Sequence, residues 1–218
     1  MVAGAPGRRP VVLSPLQERA ARLISALPEA AGFALAGGAA LVIRGLVDRT
    51  TRDLDFFSTD PTAVEGLLLA VEAALDNAGL DVERERVAEG FARLAVSDGI
   101  DSTLIDLGYD FRLHAPEDSP LGPVLAADDV AASKLLALFA RAEPRDFVDV
   151  FALASHYGFE SLCSLASDRD PGFNLSALAD ALGSFDWLSR RDFEIDDASF
   201  AILKEAMRAW RTWTIERR

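Results

Sequence analysis

Two aspartates one residue apart stand in Arg49-Thr50-Thr51-Arg52-Asp53-Leu54-Asp55-Phe56-Phe57, a short apolar stretch after the glycine pair Gly37-Gly38. Carboxylates at this spacing suit hard divalent cations, and a glycine pair suits an anion. Two glycines let the backbone turn tightly and bring N–H groups near a phosphate, where the dipole of a following helix adds positive potential. The pattern reads as a phosphate-and-metal site for a nucleoside triphosphate (NTP). Two Mg2+ ions held there would stabilise the attacking and leaving oxygens of an in-line displacement on phosphorus. Asp-x-Asp alone is usually a solvated strand face, and a glycine pair alone is usually a loop. The order and the apolar flanks carry the reading.

That chemistry needs particular elements beneath it. Apolar residues before Gly37 predict a short buried strand, residues 39–46 a helix, and residues 53–58 a second strand. Alternation along the second strand sends Asp53 and Asp55 to one face and Leu54 and Phe56 into the core. Ser14-Pro15-Leu16-Gln17 has the form of a capping box with proline at the first helical position, predicting an amphipathic helix over 16–27. Asp60-Pro61 repeats the signal and predicts a helix to about Asn77, ended by Gly79. Strand patterns follow at 81–86, 91–97 and 102–109, with turn residues at Glu89-Gly90 and Asp98-Gly99. The five strands make a small mixed sheet. After a proline- and glycine-containing loop at 116–123, helical patterns cover 128–140, 144–157, 159–167, 175–182 and 198–213. The fold class is therefore α+β, a mixed α/β core over 1–115 followed by a helical lobe over 116–218.

Composition narrows the partners. A chain of 218 residues, 50% apolar, can bury one sizeable core or two small ones. No apolar run approaches a membrane span, and residues 1–10 lack the hydrophobic core of a signal peptide, so the expected compartment is cytoplasmic. The single Cys163 excludes an intramolecular disulfide and a cysteine-rich zinc site. A net charge of −13 argues against broad nonspecific nucleic-acid binding, so no DNA partner is expected. It leaves room for a local basic patch and suits a basic partner protein. Arg44, Arg49 and Arg52 flank the proposed site, whereas Arg208, Arg211, Arg217 and Arg218 read as complements to a helix C-terminus. His114 and His156 are too far apart to propose as ligands, and Trp187, Trp210 and Trp213 read as packing of the tail or as surfaces for stacking bases.

Three further residue groups could do chemistry. Asp106 is an isolated charge inside the apolar strand Leu104-Ile105-Asp106-Leu107, where a carboxylate needs a partner or a metal. It reads either as a metal ligand or as a strand-edge aspartate bonded to a loop; Asp110 is the alternative, though it reads better as a turn residue. Lys134 lies among apolar residues in Ala131-Ala132-Ser133-Lys134-Leu135-Leu136-Ala137-Leu138-Phe139-Ala140-Arg141, and Pro144-Arg145-Asp146-Phe147-Val148-Asp149-Val150 follows. Helical spacing puts Lys134 and Arg141 on one face and Asp146 and Asp149 near the start of the next helix. This is either an interhelix salt-bridge cluster or a phosphate clamp, in which Lys134 neutralises the triphosphate and Asp146 orients it or activates the acceptor.

The first block, Gly-Gly with a helix and then Asp-x-Asp on a strand, resembles the minimal motif of the DNA polymerase β nucleotidyltransferase superfamily. That resemblance implies a third, metal-binding or proton-accepting carboxylate on a neighbouring strand, and Asp106 is the candidate by position. Both blocks together resemble the AbiEii/AbiGii toxin family of nucleotidyltransferases and their MenT-like relatives, over about residues 30–157. The resemblance implies a polymerase-β-like core with a helical lobe and NTP and metal bound between them. Carried onto this chain, it implies Gly37 and Gly38 for phosphate, Thr51, Asp53 and Asp55 for metal and chemistry, Lys134 for phosphate and chemistry, and Asp146 as the second-lobe acid; Thr51 and, by their positions near these groups, Arg52 and Arg141 are further phosphate-binding candidates. Ser133 departs from the acidic residue expected before the lysine. The resemblance also implies transfer of a nucleotide to the tRNA 3′ acceptor end, a block on translation, an antitoxin partner, and in some members silencing by a kinase. Thr50, Thr51 and Ser58 are the hydroxyls near the aspartates. A small cationic acceptor such as an aminoglycoside, and a noncatalytic partner-binding module, are the competing readings.

Overall fold

The computed structural model describes residues 13–218; the reading of residues 1–10 as lacking a leader concerns residues outside these. The chain divides into two units, one of residues up to Tyr109 together with Ser119–Gly122, the other of Asp110–Asp118 and Pro123–Arg218.

The first unit begins with the capping box read from the sequence. Ser14 N donates to Gln17 Oε1 at 3.0 Å and Gln17 N to Ser14 Oγ at 3.3 Å, with Pro15 as the first residue of α1 (Pro15–Ser25). The helix stops two residues before the expected Leu27 because Pro28 opens a short 3-10 turn, Pro28–Ala30. Strand β1 (Phe33–Ala36) runs straight into α2 (Gly37–Ile43), which starts at the glycine pair itself rather than at Ala39. The remaining elements are β2 (Asp53–Ser58), α3 (Ala63–Asn77), β3 (Asp81–Ala88), β4 (Phe91–Ser97) and β5 (Ser102–Tyr109).

The sheet has five strands in the order β1-β2-β5-β4-β3, with β2 parallel to β5 and every other pairing antiparallel. A mixed sheet of this size is the architecture the strand pattern predicts. On one face Leu54, Phe56, Leu94, Val96, Ile105 and Leu107 are all at most 2% exposed, and α1 and α3 pack against the sheet through Ala20, Ile24, Leu67, Val71 and Leu75. Each such side chain contributes roughly 1.5–3 kcal/mol when buried. Alternation then leaves the opposite face to the partly exposed Asp53, Asp55 and Phe57.

The second unit contains α4 (Ala127–Arg141), α5 (Pro144–Tyr157), α6 (Phe159–Arg169), α7 (Leu175–Gly183) and α8 (Asp197–Arg217). Leu135, Leu138, Phe147, Val150, Leu153, Leu162, Leu178 and Leu203 form its core. The tail tryptophans divide: the Trp210 ring stacks on Phe159 with centroids 4.4 Å apart, and Trp213 meets Phe159 edge-on, whereas Trp187 is 89% exposed. Arg169, 7% exposed, donates to the carboxylates of Asp129 and Asp110, and Asp129 also accepts from His114 N and Leu113 N. Asp110 thus belongs to the helical unit and pairs with Arg169, which removes it as the alternative third carboxylate of the sheet. Among the described residues no helix is long and apolar enough to cross a membrane.

Candidate active site

Strand β2 alternates strictly: Leu54, Phe56 and Ser58 are buried and Asp53, Asp55 and Phe57 are partly exposed. Ser58 is therefore turned away from the aspartates, 3% exposed, its Oγ accepting from Asp60 N at 3.1 Å. Of the three hydroxyls named near the aspartates, this one points into the core.

The glycine pair meets the acidic strand directly. In the register of β1 and β2, Ala36 faces Asp55, so Gly37 follows immediately beside it. Gly37 has φ +56, and a β-carbon there would stand 1.7 Å from Asp55 Oδ2 and 2.6 Å from its Cγ. At Gly38 the β-carbon would stand 2.5 Å from Thr51 Oγ1 and 3.4 Å from Arg49 Nη2. Glycine is required at both positions for backbone to approach side chain. Helix α2 has only seven residues, so close backbone approach, more than a summed dipole, is what the pair offers an anion.

The chain entering β2 is fixed from behind by a residue the sequence reading took for a cap alone. Gln17, 4% exposed, donates from Nε2 to Thr51 O at 3.1 Å and to Thr103 Oγ1 at 3.2 Å. Thr103 Oγ1 in turn donates to Arg52 O at 2.9 Å, and Thr51 Oγ1 to Asp53 O at 3.3 Å. The Arg52 side chain is exposed at this entry. No local pattern links residue 17 to residue 51; only the tertiary packing of α1 on the sheet does.

Asp106 occupies the position on β5 opposite Asp55 and is 6% exposed. Its partner is Arg93 on β4, whose Nε and Nη2 donate to the two carboxylate oxygens at 2.6 Å each. The hydrogen bonds that Arg93 donates to Asp106, with smaller help from the charges of Asp106, Asp53 and Glu85, hold the Arg93 guanidinium well above the usual arginine range, against its partial burial. Arg93 was missed from the sequence, although the hairpin turn at 98–101 pairs Ser97 with Ser102 and so brings Arg93 opposite Asp106 by counting back.

Among the described residues no group of three or more His, Cys, Asp or Glu is arranged to hold a metal ion. Asp106 is taken up by the Arg93 fork. Mg2+ needs no closed cage, since it commonly binds through one or two carboxylates and fills its other positions with substrate phosphate and water. Asp53 and Asp55 on one face, with the Gly37 turn packed against Asp55, fit such a cation.

In the helical unit the structure brings the four charges into two pairs. Lys134 Nζ lies 2.9 Å from Asp149 Oδ2, with side-chain exposures of 11% and 0%. Arg141 donates from Nε and Nη2 to Asp146 at 2.9 Å each, and Glu143 N also donates to Asp146 Oδ2 at 3.2 Å, closing the turn into α5. Ala142 sits between α4 and α5 at φ 50, the one non-glycine described residue in the left-handed region. Ser133 Oγ donates to Asp129 O at 2.8 Å.

A family profile described as nucleotidyl transferase AbiEii toxin, type IV toxin–antitoxin system, matches residues 20–213. The chain belongs to the AbiEii family. This AbiEii chain is thus a nucleotidyltransferase of a toxin–antitoxin system, a membership that entails an NTP donor and an antitoxin partner. Among solved structures it is similar to a Helicobacter pylori protein assigned as a nucleotidyltransferase, with TM-score 0.55 and 21% identity over 92% of this chain and 93% of that one. JHP933 from Helicobacter pylori gives TM-score 0.52 and 21% identity over 92% of each chain. MenT4, a nucleotidyltransferase toxin from Mycobacterium tuberculosis, gives TM-score 0.49 and 16% identity over 90% of this chain and 81% of that one. The two Helicobacter pylori structures share the fold. Among curated protein sequences none matches the chain.

Proposed function

We propose that this AbiEii chain moves a nucleoside monophosphate from an NTP to the 3′ acceptor end of tRNA in the cytoplasm and so blocks translation. The observation that carries the reading is the close approach of Gly37 to Asp55 on a strand face that also bears Asp53, which sets the glycine turn that would meet a triphosphate beside hard oxygens for Mg2+. The 3′ oxygen of the acceptor bonds to the α-phosphorus as the bond to the β-phosphate oxygen breaks, and pyrophosphate leaves. Mg2+ bound by Asp53 and Asp55 would neutralise charge on the phosphates and leaving group.

The remaining roles fall to the chain's own groups. Gly37 and Gly38 admit the triphosphate, Thr51 and Gln17 fix the entry to β2, and the exposed Arg52 adds positive charge there. Asp106 is read as the third carboxylate and Arg93 as the residue that positions it; because both its oxygens accept from Arg93, it takes the proton of the 3′ hydroxyl or completes the metal's donors only once that fork opens. For Lys134 as a phosphate partner and Asp146 as an active acid the proposal rests on the family, and for Arg141 on its place beside Asp146; their pairing in the structure equally suits a salt-bridge cluster. Phosphorylation of Thr51 would set a dianion against Gly38 and repel the triphosphate, the route by which a kinase would silence the toxin.

Sequencing of tRNA 3′ ends from cells expressing the wild-type chain tests the reading. Extended ends that vanish with Asp53→Ala are expected; growth arrest with unaltered tRNA ends would contradict it.

A further inference from the structure

The sheet face that carries Asp53 and Asp55 continues to the edge strand. Register partners across it run Asp55, Asp106, Arg93 and Arg86, a row spanning three strand spacings, about 14 Å. The first half of the row is acidic and the second basic. One step along the strands a second row runs Phe57, Gly108 and Phe91. A β-carbon on Gly108 would stand 3.0 Å from Phe57 Cε1 and 3.6 Å from Phe91 Cδ2, so the two rings close in over the bare glycine. The guanidinium carbons of Arg86 and Arg93 lie 5.6 Å and 6.0 Å from the centre of the Phe91 ring. Phe57, Phe91 and Arg93 are partly exposed and Arg86 is exposed.

Aromatic rings flanked by guanidinium groups on an open sheet suit unstacked bases and their phosphates; a duplex keeps its bases stacked on each other and offers no such face. The acidic row from Glu83 through Ala95 and Leu104 to Asp53 lies on the other side of the arginines and would repel a backbone straying that way. We infer that this face is the acceptor-strand site: a single-stranded RNA end stacks on Phe91, its phosphates meet Arg86 and Arg93, and its 3′ hydroxyl lies at the Asp55 end of the row. The inference deepens the tRNA-transfer reading and rests on it for the identity of the acceptor. It also offers a chain of net charge −13 a local pair of arginines, Arg86 and Arg93, beside the ring on which the RNA end stacks.

The test is fluorescence anisotropy with a short labelled single-stranded RNA bearing a free 3′ hydroxyl, in Mg2+ and without NTP. Arg86→Ala and Phe91→Ala each weaken binding about five- to tenfold, and Phe91→Trp retains it. Arg22→Gln, which removes the same charge from α1, binds as wild type, and rising salt closes the gap for Arg86→Ala but not for Phe91→Ala. Circular dichroism confirms that each variant is folded. Wild-type affinity in both alanine variants, preference for duplex RNA, or no RNA binding by the wild type overturns the inference. Because binding is read without transfer, a wild type that binds through Arg86 and Phe91 yet labels no tRNA overturns the tRNA reading alone. A wild type that labels tRNA with no dependence on either residue overturns the acceptor site alone.

Discussion

Gly37 approaches Asp55 so closely that a β-carbon on it would stand 1.7 Å from the carboxylate Oδ2. Gly37→Ala must displace either the turn or the carboxylate, at a backbone φ of +56 that alone costs alanine about 1 kcal/mol. The expected result is a folded protein, less stable by about 1–3 kcal/mol, with transfer reduced at least about 100-fold because a shift of an ångström misplaces the reacting groups. Thermal melting and initial rates check both parts. Gly38→Ala has a different escape: its clash is with Thr51 Oγ1 at 2.5 Å, so adding Thr51→Ala recovers part of the lost stability.

Gln17 serves the strand entry as well as its helix cap. Gln17→Leu leaves Thr51 O and Thr103 Oγ1 without their shared buried donor, at a cost of about 1–3 kcal/mol. At a temperature where the variant is folded, kcat falls and KM for NTP rises, since the loop carrying Thr51 and Arg52 loses its register with Asp53. Unchanged kcat in a stable Gln17→Leu protein would limit Gln17 to capping.

Lys134 and Asp149 make a buried pair, and stability and activity separate through it. Asp149→Ala leaves the Lys134 charge buried at 9% residue exposure and destabilises by about 3–5 kcal/mol. Lys134→Met with Asp149→Leu restores much of that stability, as apolar replacement of a buried pair commonly does. If Lys134 acts on the triphosphate, the double variant stays inactive at wild-type melting temperature. Recovery of activity along with stability assigns the pair to the fold alone.

Glu72 on α3 and Arg84 on β3 supply a pH-dependent contribution. The hydrogen bonds from Arg84 hold the Glu72 carboxyl below its ordinary value, with burial opposing. A depressed folded-state value means that the stabilisation is full above the unfolded pKa and is lost as pH falls through the folded one. The melting difference between wild type and Glu72→Gln is therefore largest near neutral pH, small because the pair is part-exposed, and closes as pH falls below the ordinary carboxylate range. A difference that grows on acidification would contradict the assignment.

Local signals made much of the fold legible. The spans 53–58, 91–97 and 102–109 coincide with β2, β4 and β5, because turn residues bracket short alternating runs whose period leaves one solution. Pro144 likewise fixed the start of α5. Boundaries moved where a backbone device outranked propensity: Pro28 truncated α1, and the left-handed Gly37 began α2 at the turn itself. In the site, the common face of Asp53 and Asp55 follows from strand period, whereas Gln17 at Thr51 and Arg169 at Asp110 span long sequence separations that no local pattern encodes. Arg93 is the intermediate case, reachable by counting through the hairpin once Asp106 is seen to need a partner.

The most direct measurement incubates the purified chain with Mg2+, each α-labelled NTP in turn and total tRNA, beside folded Asp53→Ala and Asp55→Ala. Label in tRNA, confined to its 3′ end and absent in both variants, is the predicted result. Label that persists in either variant, or a wild type that labels no tRNA with any NTP, would contradict the account.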